Sequence, residues 1–193
     1  MPAPFFMPKK DMPMNFSDLA KTLPDYAKDL KLNLGSLANE TILTDQQKYG
    51  CMLASAHAIG EPHTLRGLEA EARGKLSDDA IRAAKSASAI MGMNNVYYRA
   101  VHLVSNATYQ TVPAKLRMNV IGAPGIEKAD FELYSLAVSA VNGCGMCLDA
   151  HEAELRKHGL TSDQIQAGLR IGAVVNAVAR IMAAETALQA EPA

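Results

Sequence analysis

The sequence predicts an all-α protein, and three observations support that class. Alanine and leucine dominate, no segment alternates polar residues with the β-branched residues that strands prefer, and helix-capping patterns precede apolar stretches. With 193 residues, the chain can bury the core of one domain. We therefore expect a single helical domain over residues 16–190. The preceding residues 1–15 are rich in proline, and we expect them to form a flexible arm.

The first half of the chain contains recognisable helix starts. Pro24 suits the first turn of a helix that runs to about Leu37. Thr44 and Gln47 form a capping-box pattern before the next apolar stretch. Further helices are predicted over residues 62–74, 77–91 and 93–104, the second of them capped by Ser77.

A connector separates these helices from those of the second half. Residues 105–125 contain Pro113 and Pro124 as well as two glycines, which predicts a loop with one short turn of helix. Helices are then predicted over residues 127–141, 145–158 and 162–188. Thr161 and Gln164 repeat the capping-box pattern before the last of them.

A weak internal repeat indicates two similar helical units. When the chain is aligned with itself so that residue 76 matches residue 160, LSDDAI aligns with LTSDQI. The same alignment places ASA at 54–56 opposite VSA at 138–140. We interpret these matches as two pseudo-repeated units, at about 16–104 and about 126–190. Four polar residues of the second unit have no chemical counterpart in the first. Glu132, Cys144, Cys147 and His151 align with Lys48, Gly60, His63 and Gly67. The second unit is therefore predicted to be catalytic and the first to be a scaffold.

Charge and hydropathy argue against two classes of partner. The net charge of −1 and the pI near 6.5 favour neither nucleic acid nor an anionic membrane. Although 49% of the residues are hydrophobic, no stretch of eighteen lacks a charged or strongly polar group, so no membrane span is predicted. The first residues lack the apolar run and cleavage site of a secretory signal, and we expect a cytoplasmic location.

The three cysteines divide into one isolated residue and one close pair. Cys51 lies in an apolar helix and is predicted to be a small core residue. Cys144 and Cys147 form a CxxC pair, which in a reducing compartment indicates metal binding or redox chemistry. Asn142 and Gly143 end one helix, so Cys144 is expected at the start of the next, where the helix dipole favours a thiolate.

Two further residues complete a candidate catalytic group. His151 follows Cys147 by four residues, so both lie on one helix face and the imidazole can accept the thiol proton. Glu132 lies on the preceding helix between Phe131 and Leu133, which indicates partial burial. A buried carboxylate beside a histidine can orient the ring and relay protons.

Other uses of a CxxC pair fit less well. A structural zinc site needs four protein ligands, and the two cysteines with His151 supply three. His63 or His158 could be the fourth ligand, but neither has the spacing of a zinc motif. Haem attachment needs histidine directly after the second cysteine, where this chain has Leu148. A thioredoxin fold needs strands, and none are predicted. We expect no bound metal.

The spacing E-x11-C-x2-C-x3-H resembles the AhpD family of alkyl hydroperoxide reductases, within the carboxymuconolactone decarboxylase-like superfamily. Five segments carry the resemblance beyond the motif: LPDYAKDLKLNL (23–34), AIMGMNNVYYR (89–99), LRMNVI (116–121), APGI (123–126) and FELYSLAVSAVNGC (131–144). It extends over roughly residues 16–188 and implies an AhpD-like helical fold. A decarboxylase is disfavoured, because it would leave the CxxC pair without a purpose.

The resemblance also implies a role for each candidate residue. Cys147 would attack the peroxide and become a sulfenic acid, and Cys144 would donate a proton and then resolve the intermediate as a Cys144–Cys147 disulfide. His151 and Glu132 would form the proton relay. One position departs from the family, whose members often carry histidine directly before the second cysteine, where this chain has Met146.

Function and partners follow from the same resemblance. It implies an antioxidant thiol peroxidase that reduces alkyl hydroperoxides, hydrogen peroxide or peroxynitrite without a bound cofactor. Its electrons would come from dihydrolipoyl groups of a lipoylated 2-oxoacid dehydrogenase component, and it could reduce the peroxiredoxin AhpC. The family also implies a homotrimer. Two alternatives stay open: a thiol–disulfide reductase dedicated to AhpC recycling, and a non-catalytic, zinc-stabilised helical interaction protein.

Overall fold

A computed structural model of the protein describes residues 16–189, which form ten helices and no strand, as the sequence predicts. The predicted arm, residues 1–15, lies outside the described residues, and the division into a scaffold unit and a catalytic unit stays a prediction. The helices are α1 Phe16–Thr22, α2 Lys28–Ala38, α3 Asp45–Ile59, α4 Pro62–Arg73, α5 Asp78–Leu103, α6 Thr108–Thr111, α7 Asn119–Gly122, α8 Lys128–Asn142, α9 Gly145–Lys157 and α10 Ser162–Gln189.

The predicted caps start the helices as expected. The Thr44 side chain accepts from the Gln47 backbone amide at 3.1 Å, and Gln47 accepts from the Thr44 amide at 3.1 Å, which completes the capping box. Ser77 caps α5, which continues without a break through the two stretches predicted over 77–104. Helix α2 begins four residues after Pro24, because a short 3-10 turn, Asp25–Ala27, comes first.

Two features of the chain differ from the prediction. Helix α1 was not predicted; it buries Phe16 and Leu19 and packs against α4, so tertiary contacts stabilise a seven-residue helix that would be marginal alone. The connector contains two short helices, α6 and α7, instead of one turn.

Helix α8 lies at the centre of the fold and packs against α3, α5, α9 and α10. Two glycines let its neighbours approach closely. A Cβ on Gly50 of α3 would lie 2.1 Å from the Tyr134 ring, and one on Gly172 of α10 would lie 2.9 Å from the Ala137 carbonyl oxygen. Tyr134 then donates from its hydroxyl to the Gln46 carbonyl at 2.8 Å. Close packing on both sides therefore fixes the position of α8.

Hydrogen bonds hold α8 at both ends. At its start, the buried Asp130 carboxylate accepts from the side-chain amides of Gln46 at 2.5 Å and Gln47 at 2.9 Å. At its end, the Asn142 amide donates to Asn95 of α5 at 3.0 Å, and Arg99 donates to the Asn142 carbonyl at 2.5 Å. The corner that follows α8 is thus anchored to α5.

Helix α10 is long and apolar enough to cross a membrane by length and composition alone. In the fold, however, it packs against α3 and α8 and buries residues such as Ile171, Val175 and Met182. Length and composition by themselves are weak evidence for a membrane span.

Candidate active site

The corner between α8 and α9 brings both cysteines to the start of a helix. Gly143 has a φ of 68°, and its amide and that of Cys144 donate to the carbonyls of Ala140 at 3.2 Å and Ser139 at 3.1 Å. This is a Schellman motif, which ends α8 and satisfies its last carbonyls. Helix α9 begins at Gly145, so Cys144 caps it with no intervening loop.

The two cysteines form a buried pair in the first turn of α9. Their sulfurs are joined in a disulfide, and their Cα atoms lie 5.3 Å apart, within the usual range for such a bond. The Cys147 amide donates to the Cys144 sulfur at 3.4 Å. Cys144 is fully buried, whereas Cys147 keeps 6% of its surface exposed. An approaching reagent therefore reaches Cys147 first.

The predicted histidine and glutamate lie in direct contact. His151 Nδ1 is 2.6 Å from Glu132 Oε2, and both side chains are buried. The other carboxylate oxygen, Oε1, accepts from Lys128 Nζ at 2.5 Å, and Lys128 also donates to the Ile121 carbonyl at 2.8 Å. Glu132 is therefore held between the His151 ring and the Lys128 ammonium, and its predicted burial is confirmed.

These contacts keep Glu132 ionised and fix the histidine tautomer. Burial would raise the pKa of Glu132, but hydrogen bonds from His151 and Lys128 and their electrostatic attraction outweigh it, so the pKa lies below its ordinary value. An ionised carboxylate only accepts hydrogen bonds, so the ring proton lies on Nδ1. The remaining nitrogen, Nε2, is the position that can exchange a proton with a neighbouring group.

A cavity of about 250 Å³ adjoins Cys147 and His151. Its walls are largely apolar. On one side, His151 Nε2 lies 3.3 Å from the sulfur of Met91, a residue of α5. Other residues that line it are Asn94, Tyr98, Met118, Ile121 and Met146.

The structure brings together all four residues that the sequence selected, and it adds three that the sequence did not indicate. Lys128 could have been found, because it stands one helical turn before Glu132, where opposite charges pair. Met91 and Asn94 could not, because they lie on α5, and only the crossing of α5 over α9 brings them to Cys147.

The third cysteine and the zinc alternative stand apart from this site. Cys51 is fully buried in the core, and burial raises the pKa of its thiol far above the ordinary value, which makes it unreactive. Across residues 16–189, no group of three or more His, Cys, Asp or Glu side chains could hold a metal ion. His158, a candidate fourth zinc ligand, instead pairs with Glu154 at 3.4 Å.

Comparison with known proteins gives a consistent family. Residues 107–190 match the carboxymuconolactone decarboxylase family. The chain is 76% identical over 180 residues to an alkyl hydroperoxide reductase AhpD of Hyphomonas neptunium, covering 93% of this chain and 100% of the relative. It is 65% identical to an AhpD of Maricaulis maris, covering 90% and 100%, and 58% identical to one of Rhizorhabdus wittichii, covering 88% and 98%.

These alignments extend over nearly the full length of both chains. The family resemblance predicted from the motif and the five segments is thereby confirmed. The chain belongs to the AhpD family of alkyl hydroperoxide reductases and is an oxidoreductase.

Proposed function

We propose that this chain reduces alkyl hydroperoxides, and also hydrogen peroxide or peroxynitrite, through a dithiol–disulfide cycle of Cys144 and Cys147. The observation that supports this cycle best is the disulfide itself, next to the His151–Glu132–Lys128 chain and a cavity that Cys147 alone of the two cysteines lines. A sulfur, a base and a space for substrate therefore meet at one point.

In the oxidative half of the cycle, His151 Nε2 accepts the proton of the Cys147 thiol, and Glu132 stabilises the resulting imidazolium. The thiolate attacks the distal oxygen of the hydroperoxide; an S–O bond forms, the O–O bond breaks, and the alkoxide leaves and takes a proton from Cys144. Cys147 is now a sulfenic acid. The Cys144 thiolate then attacks the Cys147 sulfur, the S–S bond forms and the S–O bond breaks, and the hydroxyl takes the proton held by His151 and leaves as water.

In the reductive half, a dithiol donor attacks the more exposed sulfur, that of Cys147, and Cys144 leaves as a thiolate. The amide of Cys147, which donates to the Cys144 sulfur, favours that leaving group. The second donor thiol then attacks the mixed disulfide and releases Cys147. The donor ends as a cyclic disulfide, so two electrons enter for each peroxide reduced.

The burial of the disulfide favours a slender donor. With Cys144 fully buried and Cys147 at 6% exposed, a small dithiol on a flexible arm reaches the sulfurs more easily than a protein surface does. We therefore propose dihydrolipoyl groups of a 2-oxoacid dehydrogenase component as donor. Electron transfer to AhpC, a homotrimeric assembly and a cytoplasmic location are further parts of this proposal, supported by membership of the family.

The experiment that tests the cycle is rapid oxidation of the reduced protein. Because the chain has no tryptophan, the readout is thiol alkylation and mass spectrometry after stopped mixing with tert-butyl hydroperoxide. We expect loss of two thiols per chain, a Cys144–Cys147 disulfide and a free Cys51, with Cys51→Ala as a variant that behaves like the wild type.

Turnover assays separate this function from the AhpC-recycling alternative. With dihydrolipoamide as donor, peroxide consumption without AhpC supports the proposal. Thiols that survive peroxide, yet reduce oxidised AhpC, would instead show a reductase dedicated to AhpC.

A further inference from the structure

The cavity beside Cys147 combines apolar walls with one polar group that has no partner and that the catalytic chain does not use. Met91, Met118, Ile121 and Met146 supply apolar side chains, and Tyr98 lines the cavity with its hydroxyl 4.0 Å from the Met118 sulfur. At about 30 Å³ for each water-sized group, a volume of 250 Å³ holds roughly eight non-hydrogen atoms. That is the size of a short alkyl hydroperoxide, and it is smaller than the site of a drug-sized ligand.

The polar group is the side-chain amide of Asn94. This residue is 5% exposed, and its Oδ1 atom has no hydrogen-bond partner among residues 16–189. A buried polar atom without a partner costs about 1–3 kcal/mol, so such an atom calls for an explanation.

The neighbouring residue shows that this arrangement is particular to Asn94. Asn95 is also buried, but its amide donates to Ser139 at 2.9 Å and its oxygen accepts from Asn142 at 3.0 Å. Asn95 therefore serves the packing of α5 on α8. Asn94, one residue earlier on α5, lines the cavity with Cys147 and His151 and has no such structural partner.

We infer that this cavity is the binding site for the alkyl hydroperoxide and that, when substrate binds, the Asn94 side chain turns its covered Oδ1 atom into the cavity and accepts the hydrogen bond from the substrate O–H. This inference rests on the proposed function. An alkyl hydroperoxide carries its only O–H proton on the distal oxygen, which is the atom that Cys147 attacks. A hydrogen bond to Asn94 holds that oxygen in the cavity next to the sulfur, and the alkyl group lies against the methionine and isoleucine side chains.

This arrangement gives Asn94 a positioning role that is separate from general thiol reactivity. The hydrogen bond is made to the electrophile, so its loss weakens only reactions with peroxides. The apolar walls favour an alkyl hydroperoxide over hydrogen peroxide, because the alkyl group leaves water for an apolar surface. Met146, at the rim of the cavity, adds to that surface.

The test compares Asn94→Leu, which has nearly the same size but no amide, with Asn176→Leu, the same change on α10 away from the cavity. For the reduced full-length chain, the second-order rate with tert-butyl hydroperoxide should fall about tenfold in Asn94→Leu, as expected for one hydrogen bond lost in a dry site. The rate of Asn94→Leu with a small aromatic disulfide reagent should stay at the wild-type value, and so should its re-reduction by dihydrolipoamide. Its Tm should not fall, because the amide oxygen has no hydrogen-bond partner to lose.

A second variant tests the alkyl part of the site. Met118→Trp should fill the cavity and slow the reaction with tert-butyl hydroperoxide more than the reaction with hydrogen peroxide. The inference is overturned if Asn94→Leu reacts with peroxide as the wild type does, if it loses the same factor with the disulfide reagent, or if only the dihydrolipoamide step slows. Failure of the underlying function appears differently, as wild-type thiols that stay free in peroxide.

Discussion

The α3–α4 pair and the α8–α9 pair have the same local frame but differ in chemistry. Both α3 and α8 contain 15 residues and end at a left-handed glycine, Gly60 and Gly143. In each pair, a side chain then caps the next helix. In the first pair the cap is Glu61, whose carboxylate accepts from the amides of His63 at 2.9 Å and Thr64 at 2.7 Å. In the second pair it is Cys144.

The helix bounds refine the register of the repeat. Helices α3 and α8 start at residues 45 and 128, and α4 and α9 start at 62 and 145, both 83 residues apart. Helices α5 and α10 start at 78 and 162, which are 84 apart. The extra residue lies in α9, which has 13 residues against 12 in α4. Counted from the helix starts, Cys144 therefore stands opposite Glu61, not Gly60 as the sequence alignment indicated.

The corrected register shows what distinguishes the two pairs. Thr64 stands opposite Cys147, Leu68 opposite His151, and Tyr49 opposite Glu132. A helix cap that positions backbone amides is common to both. At these three matched positions, only the second pair has a thiol, an imidazole and a carboxylate. The helix start by itself is thus a structural device, and the proposed chemistry requires the three additional side chains.

The largest effect is expected at the cysteines. Cys147→Ser should abolish peroxide turnover, and Cys144→Ser should allow a sulfenic acid to be trapped on Cys147, because the resolving thiol is gone. Dimedone labelling with mass spectrometry measures both. Thr64→Ser, at the matching position of α4, should turn over normally. A sulfenic acid on Cys144 in the Cys147→Ser variant would mean that the two roles are exchanged.

Glu132→Gln should have the next largest effect, a loss of about 10²–10⁴-fold in turnover, as is typical when a positioned acid–base group is removed. Glutamine keeps the size and one acceptor but removes the charge that stabilises the imidazolium of His151. The acid limb of the pH–rate profile should shift upward, because the thiol then ionises less readily.

Circular dichroism and the melting temperature must be measured beside these kinetics. A folded Glu132→Gln variant with the wild-type rate and an unshifted profile would reduce Glu132 to a structural residue.

Lys128→Met should reduce turnover less, roughly three- to tenfold, corresponding to about 1 kcal/mol from a partly exposed ion pair. Loss of the ammonium should raise the pKa of Glu132 towards its ordinary value and weaken its hold on His151. The matched control is Lys157→Met, which removes an exposed lysine–glutamate pair on α9 and should leave the rate unchanged. Equal rates in both variants would show that Lys128 has no part in the relay.

The lowered pKa of Glu132 also predicts the direction in which the stability of the fold changes with pH. A carboxylate with a folded-state pKa below its unfolded value, about 4.3, contributes stability that is present above that pH and is lost as the pH falls through the lower, folded value. The melting temperature of Lys128→Met should therefore approach that of the wild type at acidic pH. A constant difference at all pH values would contradict this linkage.

The sequence predicted most of the fold because capping residues and alanine-rich stretches determine helices locally. It also selected Cys144, Cys147, His151 and Glu132, since these lie on two consecutive helices joined by a tight corner. It could not distinguish Asn94 from Asn95, which are adjacent letters on α5, because their roles depend on which faces of α5 contact α8 and α9. Tertiary crossings of this kind leave no local pattern.

The smallest effect on turnover is expected at Glu61, the cap of the first pair, where we expect no change in rate. Glu61→Ala should leave turnover unchanged and lower stability by about 1–2 kcal/mol, because two backbone amides at the start of α4 lose their acceptor. For a chain of this length, each 1 kcal/mol lowers the Tm by about 2–4 °C. Glu61→Asp keeps a good N-cap residue and should restore most of the loss. Thermal melts and the peroxidase assay on the three proteins measure both quantities. If Glu61→Ala slowed turnover at a temperature where it is fully folded, the first pair would contribute to the active site, and the comparison between a structural cap and a reactive one would not hold.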